Sequence, residues 1–279
     1  MKIEWGKSDL HIHTLVSDGY MTPDEILDTA AELGLKQISI TDHDAVGAYF
    51  NFGDHLFDKA QSLGIELIAG IELDCDYLGG EVHMLGYGID PSYKELQEYL
   101  SYVQGLRRKK TKEQMEAVNR HFRGLVIAEK DIFLSYRDTL MRPHLVHAML
   151  NKGLFDEYRP AARWLNANIK VETKVPKPDY SYIIQLIIDA GGEPVLAHPG
   201  FLIRERGLEI NGLFSDMKDK GLMGVEVEYP YTGTSPQFSA PENGVEIIEL
   251  VKQAAERFGL FSTRGSDAHG LEQFRALNS

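Results

Sequence analysis

The stretch SDLHIHTLVSDG, residues 8–19, places two histidines two positions apart in an apolar run near the start of the chain. In a β-strand, residues i and i+2 point to the same face, so His11 and His13 would project side by side. Two buried imidazoles on one face are costly unless their lone pairs are used. A carboxylate, Asp18, follows in the same stretch. The stretch therefore predicts a first strand that carries ligands for a divalent metal ion.

Further along the chain, short runs rich in Ile, Val and Leu alternate with longer helical patterns. This alternation is typical of β/α units around a parallel sheet or barrel. Polar residues stand at or near the ends of these runs, and barrel enzymes assemble their sites at the C-terminal ends of their strands. The seven predicted strands are SDLHIHT (8–14), QISITDH (37–43), IELIAGIELDC (65–75), EVHMLGYGI (81–89), EPVLAHPG (193–200), MGVEVEYP (223–230) and LFSTRGSDAHG (260–270).

Helix signals separate the first strands. In TPDEILDTAAELG, Thr22 is placed as an N-cap, Pro23 as the first helical residue and Glu25 as the partner of a capping box, and Gly34 ends the helix. A second helix is predicted from about residue 47 to residue 63. These helices fit between successive strands of a barrel.

The alternation stops between residues 91 and 178, where helical patterns follow one another without strands. We expect a barrel domain of residues 1–90 and 179–279, interrupted by a helical insertion of residues 91–178 that acts as a lid or substrate-selecting subdomain. The basic run from Arg107 to Lys112 is interpreted as a solvated helix face.

Charge and composition limit the classes of function that this chain can have. The 279 residues carry a formal net charge of -13, which argues against stable binding to duplex nucleic acid but allows a phosphate-bearing substrate held through cations. No apolar span of about 18 residues predicts a membrane helix, and Glu4 and Asp9 interrupt any signal sequence. The single cysteine, Cys75, fits a reducing compartment, so we expect a cytoplasmic protein.

Nine histidines and carboxylates stand in these strand-end contexts. Any one of them alone is more often an ordinary hydrogen-bonded residue, but together they exceed what packing requires. Their mixed chemistry suits Mn, Fe or Zn rather than Ca or Mg alone, and their number suits two or three ions. The predicted metal ligands are His11, His13, Asp18, His43, Glu72, His83, His198, Asp267 and His269.

Four of these motifs, DLHIHTLVSDG, ITDHD, AHPG and GSDAH, resemble in order and spacing the signatures of the PHP (polymerase and histidinol phosphatase) family. The resemblance covers nearly the whole chain. It implies a distorted (β/α)7 barrel with a trinuclear metal site, here with a helical insertion. It also implies hydrolysis of a phosphate ester by a hydroxide shared between metal ions.

Carried onto this sequence, the resemblance implies three ligand sets and a catalytic role for three residues, Glu72, His198 and Asp267. Asp267 would orient the attacking hydroxide. The first metal would be held by His11, His13, Glu72 and Asp267, the second by Glu72, His83 and His198, and the third by Asp18, His43 and His269.

The insertion resembles that of the family branch that includes nucleoside 3′,5′-bisphosphate phosphatases and 5′-to-3′ ribonucleases. The resemblance implies that Arg142 and His144 of RPHLVHAML bind phosphate, and that Lys177 or Lys174 contacts a second phosphate. From the residues alone, RPH is equally the start of a helix with Pro143 in its first turn. The expected partner is a small phosphorylated substrate, a nucleotide or a short oligonucleotide.

Other functions stay open at this point. Histidinol phosphate or another small phosphate monoester is a neighbouring substrate, and the same residues in a non-catalytic metal-binding module would belong to a different class. An amidohydrolase also opens with a His-x-His strand, but it normally needs a bridging lysine. Glu72 holds the bridging position here, and Asp18 and His43 have no amidohydrolase counterpart.

Overall fold

The computed structural model describes residues 3–50, 55–124 and 126–278. Within them, seven strands form one sheet in chain order, and a bridge between Ile12 and Ala268 brings its two edges together, so the barrel is nearly closed. The strands are β1 (Ser8–Ile12), β2 (Gln37–Ile40), β3 (Glu66–Tyr77), β4 (Gly80–Tyr87), β5 (Glu193–Leu196), β6 (Gly224–Glu228) and β7 (Phe261–Arg264). The expected seven-stranded α/β barrel is confirmed.

One strand runs against the expected direction. β4 is antiparallel to both β3 and β5, whereas the other neighbouring strands are parallel. The sheet of this barrel is therefore mixed, whereas the alternation of strands and helices had indicated parallel β/α units without identifying this hairpin. Only Leu78 and Gly79 separate β3 from β4, and a two-residue connection can make a hairpin but not a parallel crossover. The hairpin places His83 opposite Asp74, at the end of the barrel where β2 and β5 finish.

Ten α-helices are described, together with three short 3₁₀ turns. They are α1 (Pro23–Glu32), α2 (His55–Ser62), α3 (Lys94–His121), α4 (Arg142–Asn151), α5 (Tyr158–Asn168), α6 (Tyr180–Asp189), α7 (Pro199–Arg204), α8 (Ile210–Lys218), α9 (Pro241–Phe258) and α10 (Leu271–Asn278). The 3₁₀ turns are Gly47–Tyr49, Glu129–Asp131 and Pro236–Phe238.

The first predicted helix is confirmed in detail. Thr22 caps α1, accepting a hydrogen bond from the Glu25 N–H at 3.2 Å, while the Glu25 carboxylate accepts one from the Thr22 N–H at 2.8 Å. The helix predicted over residues 47–63 is shorter than expected. A 3₁₀ turn covers Gly47–Tyr49 and α2 starts at His55, while residues 51–54 lie outside the described residues.

The described residues form three apolar cores, the smallest of which joins strand residues such as Leu10, Leu85 and Val195. The large core fills the space between the barrel sheet and its helices, and the N-terminal part of α3 contributes Leu96 and Leu100 to it. A second core lies within the insertion, where Met115 and Val118 from the C-terminal part of α3 pack with residues such as Leu145 of α4. Each fully buried Leu or Met contributes roughly 1.5–3 kcal/mol. One helix thus joins the insertion to the barrel.

The basic run on α3 does not form a uniformly solvated face. Arg108 and Lys109 are exposed, but the Arg107 side chain is only 11% exposed and Thr111 is buried. The interpretation was therefore wrong for these two positions, because α3 turns them toward the barrel. Among the described helices, none is both long enough and apolar enough to cross a bilayer.

Candidate metal centre

Glu72, in the middle of β3, lies at the centre of the predicted ligands. Its Oε2 lies 3.2 Å from His11 Nε2 and 3.3 Å from His13 Nε2, both on the strand-and-loop segment that starts with β1. The same oxygen lies 3.2 Å from His43 Nδ1, just after β2. Its other oxygen, Oε1, lies 2.9 Å from His83 Nδ1. One carboxylate thus contacts donors from three other strand regions.

The remaining ligand of the predicted second set is His198. It follows β5, and its Nε2 lies 3.3 Å from Glu72 Oε1, with its ring centroid 5.1 Å from that of His83. The structure also groups His43 with Glu72 and His83, so His43 lies between the second and third predicted sets.

The predicted third set is equally compact. His269 Nε2 lies 3.4 Å from Asp18 Oδ1, and these two residues form a group of potential ligands with His13 and His43. The His13 ring stacks between those of His269 and His43, with centroid distances of 4.3 and 4.7 Å. His13 therefore borders both the first and the third predicted sets.

Asp267 completes the first set from the loop after β7. Its Oδ1 lies 3.0 Å from His13 Nε2 and 3.5 Å from His11 Nε2. Its Oδ2 accepts a hydrogen bond from the Tyr229 hydroxyl at 2.9 Å. The phenol thereby turns Oδ1 toward the histidines. All nine predicted ligands are thus brought to one end of the barrel.

The donor set fits divalent metal ions. Among the described residues, several buried side-chain atoms of this cluster have no hydrogen-bond partner, and buried polar atoms are rarely left unpaired without a functional reason. They are His11 Nε2, His13 Nδ1 and Nε2, Asp18 Oδ1, His43 Nδ1, Glu72 Oε2 and Asp74 Oδ1. Imidazole nitrogens and carboxylate oxygens are the donors that Zn, Mn and Fe ions take.

The charges in the cluster compensate one another. Burial alone would raise the pKa of Glu72, but His43, His11 and His83 hold it well below its usual range. Burial likewise opposes protonation of His43, yet Glu72 and Asp18 raise its pKa to about 9. Metal binding to these imidazoles must therefore displace protons.

A buried carboxylate that the sequence analysis missed, Glu226 on β6, orients two of the histidines. Its Oε1 lies 3.0 Å from His11 Nδ1, and its Oε2 accepts a hydrogen bond from the His198 N–H at 2.8 Å. An Nδ1–H donated to Glu226 leaves the Nε2 lone pair of His11 toward the cluster. A Cβ at Gly265 would lie 2.4 Å from Glu226 Oε1, so this close packing requires glycine. The alternating pattern of the strand sequence GVEVE was the sequence signal that could have identified Glu226 as a residue facing the site.

Asp74, two residues after Glu72, also lies in the cluster. Its Oδ1 is 3.5 Å from His43 Nδ1 and 3.6 Å from His83 Nε2. Its Oδ2 accepts a hydrogen bond from Arg107 Nη2 at 2.8 Å. Glu72 and Asp74 lie two residues apart in β3 and so point to one face, but no local pattern links Asp74 to the arginine of α3.

Asp42, a carboxylate of the ITDHD motif, has a structural role. It accepts hydrogen bonds from the Thr14 N–H at 2.7 Å and from the Ser17 hydroxyl at 2.5 Å. Asp42 thereby holds the loop that carries His13 and Asp18, rather than offering free oxygens to a metal ion.

Backbone strain is concentrated at the cluster. Asp44, His198 and Asp267 have φ angles of 44°, 29° and 52°, in the region that L-residues rarely adopt. Leu78 is the other described non-glycine residue of this kind, and it lies in the β3–β4 hairpin. Such conformations are retained where the surrounding structure holds them and are common at functional sites.

A cleft of about 390 Å³ opens beside the cluster, within the range of small-molecule sites. Asp18 and Asp74 line it on the barrel side. Its other walls come from α3, from the start of α4 and from residues 175–177. Four basic side chains, Arg107, Lys110, Arg142 and Lys177, line the cleft. Four carboxylates, Asp18, Asp44, Asp74 and Glu81, line it as well, so the cleft brings charges of both signs together.

The structure places two of the three predicted substrate-binding residues in the wall of the cleft and buries the third. Arg142 and Lys177 line the cleft, and Lys177 pairs with Glu81 there. His144 is absent from the described residues of the cleft wall. It is buried in α4, where its Nδ1 accepts the Met141 N–H at 3.0 Å, and burial lowers its pKa to about 4. A neutral His144 caps the helix that presents Arg142.

Comparison with known proteins places this site in a family. The family model named PHP domain matches residues 9–174. The chain belongs to the PHP family. The matched segment includes six of the nine metal-ligand candidates, from His11 to His83, and the insertion as far as residue 174.

Curated relatives of this PHP chain cover most of its length. A 3′,5′-nucleoside bisphosphate phosphatase from Chromobacterium violaceum is 25% identical over 94% of this chain and 86% of its own. A 5′-3′ exoribonuclease from Haemophilus influenzae is 26% identical over 79% and 78%. A phosphoribosyl 1,2-cyclic phosphate 1,2-diphosphodiesterase from Eggerthella lenta is 26% identical over 94% of both chains.

Solved structures agree on the fold. A Bifidobacterium adolescentis protein assigned to the metal-dependent phosphoesterases superposes with a TM-score of 0.78 at 27% identity, covering 97% of this chain and 94% of its own. An amidohydrolase from Chromobacterium violaceum, with bound sulfate and no metal, gives a TM-score of 0.75 at 24% identity over 95% and 88%. That second likeness concerns the fold alone. Family, fold and donor set together identify this PHP protein as a metal-dependent phosphoesterase.

Proposed function

We propose that this phosphoesterase removes a phosphate group from a small nucleotide. The observation that carries the proposal is the cleft that opens beside the metal-ligand cluster and brings cations to it. A metal centre alone would suit many hydrolases. In this cleft Arg107 and Lys177 are paired with carboxylates, whereas Lys110 and Arg142 have no ion pair among the described residues and can bind an anionic substrate.

The number and the identity of the metal ions are part of this proposal. We propose two or three ions, Mn, Fe or Zn, held by the ligand sets given above, with Glu72 shared between the first two. When bound, such ions supply a water of lowered pKa as nucleophile and neutralise charge on the phosphoryl oxygens. We assign the catalytic roles to Glu72, His198 and Asp267 because each contacts donors of the first or second set.

The chain's own residues prepare the site. Glu226 fixes the ring orientation of His11, and Tyr229 fixes the carboxylate of Asp267. Arg142 lines the cleft with an exposed guanidinium, which can donate two parallel hydrogen bonds to a phosphate. His144 supports Arg142 through its helix cap rather than by contacting phosphate.

The relatives favour a nucleotide over other phosphate esters. Two of the three named above act, by their names, on nucleoside bisphosphates or on RNA, and the first spans 94% of this chain. The cleft volume of about 390 Å³ also accommodates a substrate larger than phosphate itself. The insertion, which supplies much of the cleft wall, is proposed as the substrate-selecting part of the molecule.

The test is phosphate release from purified protein that has been stripped of metal and reloaded with Mn, Fe or Zn. Substrates are adenosine 3′,5′-bisphosphate, adenosine 5′-monophosphate, histidinol phosphate and p-nitrophenyl phosphate. We expect turnover that requires added metal, is abolished by chelation and is fastest on a nucleotide. Faster hydrolysis of histidinol phosphate would reject the nucleotide assignment. Metal binding without turnover of any of the four would favour a non-catalytic binding module.

A further inference from the structure

His83, the metal-ligand candidate on β4, has carboxylates on both sides of its ring. Its Nδ1 lies 2.9 Å from Glu72 Oε1, inside the metal-ligand cluster. Its Nε2 lies 3.4 Å from Oε1 of Glu81, a residue that lines the cleft. Asp74 Oδ1 lies 3.6 Å from the same Nε2, which is too far for a hydrogen bond. Because an ionised carboxylate only accepts hydrogen bonds, the Nε2–H of His83 is donated to Glu81.

Glu81 is itself held in place by a cation. Glu81 and His83 are two residues apart in β4, so their side chains lie on the same face of the strand. The Glu81 side chain is 48% exposed, and a carboxylate in that position loses rotational freedom only if a partner holds it. Lys177 is that partner, because its Nζ forms an ion pair with Glu81 Oε2. One oxygen of Glu81 thus contacts His83, and the other contacts Lys177.

The main chain brings Lys177 to this position. The Asp76 N–H donates a hydrogen bond to the Pro178 carbonyl at 2.8 Å, and Asp76 also forms an isolated β-bridge with Asp179. In the β3–β4 hairpin, Asp76 is the residue directly opposite Glu81. The end of the insertion is therefore paired with the strand position opposite Glu81, and this pairing places Lys177 beside that carboxylate.

We propose that Glu81 and Lys177 are positioning residues for the second ligand set. Glu81 holds the Nε2–H of His83, so that the Nδ1 lone pair faces the cluster once the Nδ1 proton has been displaced. Lys177 in turn holds the carboxylate of Glu81. Lys177 therefore acts on the metal centre through Glu81, in place of the phosphate contact that the family resemblance implies. The inference rests on the proposed function and deepens it, since the second ligand set belongs to the same site.

The experiment combines calorimetric titration of metal-stripped protein with Mn and the kinetics of adenosine 3′,5′-bisphosphate hydrolysis. We expect Glu81→Leu to weaken Mn binding about 10- to 100-fold, as is typical when a residue that orients a metal-binding histidine is removed. Lys177→Met should weaken Mn binding less, and adding it to Glu81→Leu should cause no further loss, because Lys177 acts through Glu81. KM at saturating Mn should be unchanged in Lys177→Met. The matched control is Lys174→Met, at an exposed lysine of the same segment that is not among the described residues of the cleft wall, and it should leave Mn binding unchanged.

Unchanged Mn affinity in Glu81→Leu overturns the inference. A rise in KM with unchanged Mn affinity in Lys177→Met also overturns it, since Lys177 would then contact the substrate. Glu81→Gln separates ring orientation from a folding defect, because it keeps an acceptor oxygen for His83, and its Mn affinity should lie between those of the wild type and Glu81→Leu. The titration needs no turnover, so a wild-type protein that binds Mn but hydrolyses no substrate removes the proposed function while the titration still decides the inference. Wild-type protein that binds no Mn overturns both.

Discussion

The barrel end that carries the candidate metal ligands and the helical insertion differ in how their carboxylates are used. At the barrel end, buried oxygens such as Asp18 Oδ1 and Glu72 Oε2 have no hydrogen-bond partner among the described residues. In the insertion, the Glu113 carboxylate accepts hydrogen bonds from Thr173, and Asp131 pairs with Lys152. The buried atoms without a partner in the described part of the insertion are Arg137 Nε, Thr139 Oγ1 and His144 Nε2, and none of them is a carboxylate oxygen. Carboxylate oxygens are thus available to a ligand at the barrel end, whereas these two carboxylates of the insertion stabilise its own fold.

The two regions meet at Arg107. This residue of α3 reaches across to Asp44, which follows the metal-ligand candidate His43, and to Asp74, which lies beside the same imidazole. The insertion is thereby fixed against the metal centre by a buried ion pair. Substitutions at the barrel end should therefore have large effects on activity, and substitutions at the contact should lower stability. Substitutions on the surface of the insertion should have negligible effects on either.

The largest effect is expected for Glu72→Gln. An amide in place of this shared carboxylate removes a charge that contacts His11, His43 and His83, so metal affinity and catalysis fail together. We expect phosphatase activity to fall on the order of 10³-fold, with a lower metal content by mass spectrometry. Glu66→Gln, at the other end of the same strand, is the control. Retained metal content and activity in Glu72→Gln would remove Glu72 from the centre.

Arg107→Met tests the contact between the two regions. It leaves Asp44 and Asp74 buried without their shared cation, and removing one member of a buried ion pair costs about 3 kcal/mol. Urea unfolding should show this loss of free energy, and Arg108→Met, on the exposed side of α3, should show little change. A loss below about 1 kcal/mol for Arg107→Met would mean that the insertion is anchored elsewhere.

A smaller effect is expected for Glu226→Gln. The carboxylate orients His11 without being among the predicted metal ligands, and loss of such a contact typically lowers metal affinity or activity about 10- to 100-fold. Metal titration followed by activity measurements checks this. Glu228→Gln, two residues later at the exposed end of β6, is the matched control. Equal effects of the two substitutions would contradict the assigned role of Glu226.

The smallest effect is expected within the insertion surface. Lys112 pairs with Glu129 at 2.6 Å, but both side chains are more than half exposed. Surface ion pairs contribute about 0–1 kcal/mol. Thermal unfolding of Lys112→Ala should therefore differ little from wild type, with unchanged activity. A large loss of stability here would show that surface charges, and not the second apolar core, hold the insertion together.

Local signals predicted much of this fold. The capping box of Thr22 and Glu25 fixed the start of α1, and the apolar runs located all seven strands. Strand direction was missed at β4, because hydrophobic periodicity does not depend on direction. The short DYLGGEV connection contained the missing information, since the two residues Leu78 and Gly79 between the strands exclude a parallel crossover.

The convergence of the nine candidate ligands was predictable because each stands in a short motif near a strand end. The residues around them were not. Arg107 meets Asp74 across 33 positions of sequence, and Glu226 meets His11 across 215. Such pairs depend on how helix and strand are placed in three dimensions, which no local pattern specifies. The helix cap made by His144 was not distinguishable from a phosphate contact for the same reason, since its motif fits both equally well.

Anomalous diffraction from crystals grown with manganese tests directly the assignment that the nine donors of the barrel end hold divalent ions. Anomalous peaks are expected within metal-ligand distance of Glu72, with further peaks toward His198 and Asp18. Well-ordered crystals of a manganese-activated enzyme with no peak among these side chains would contradict it.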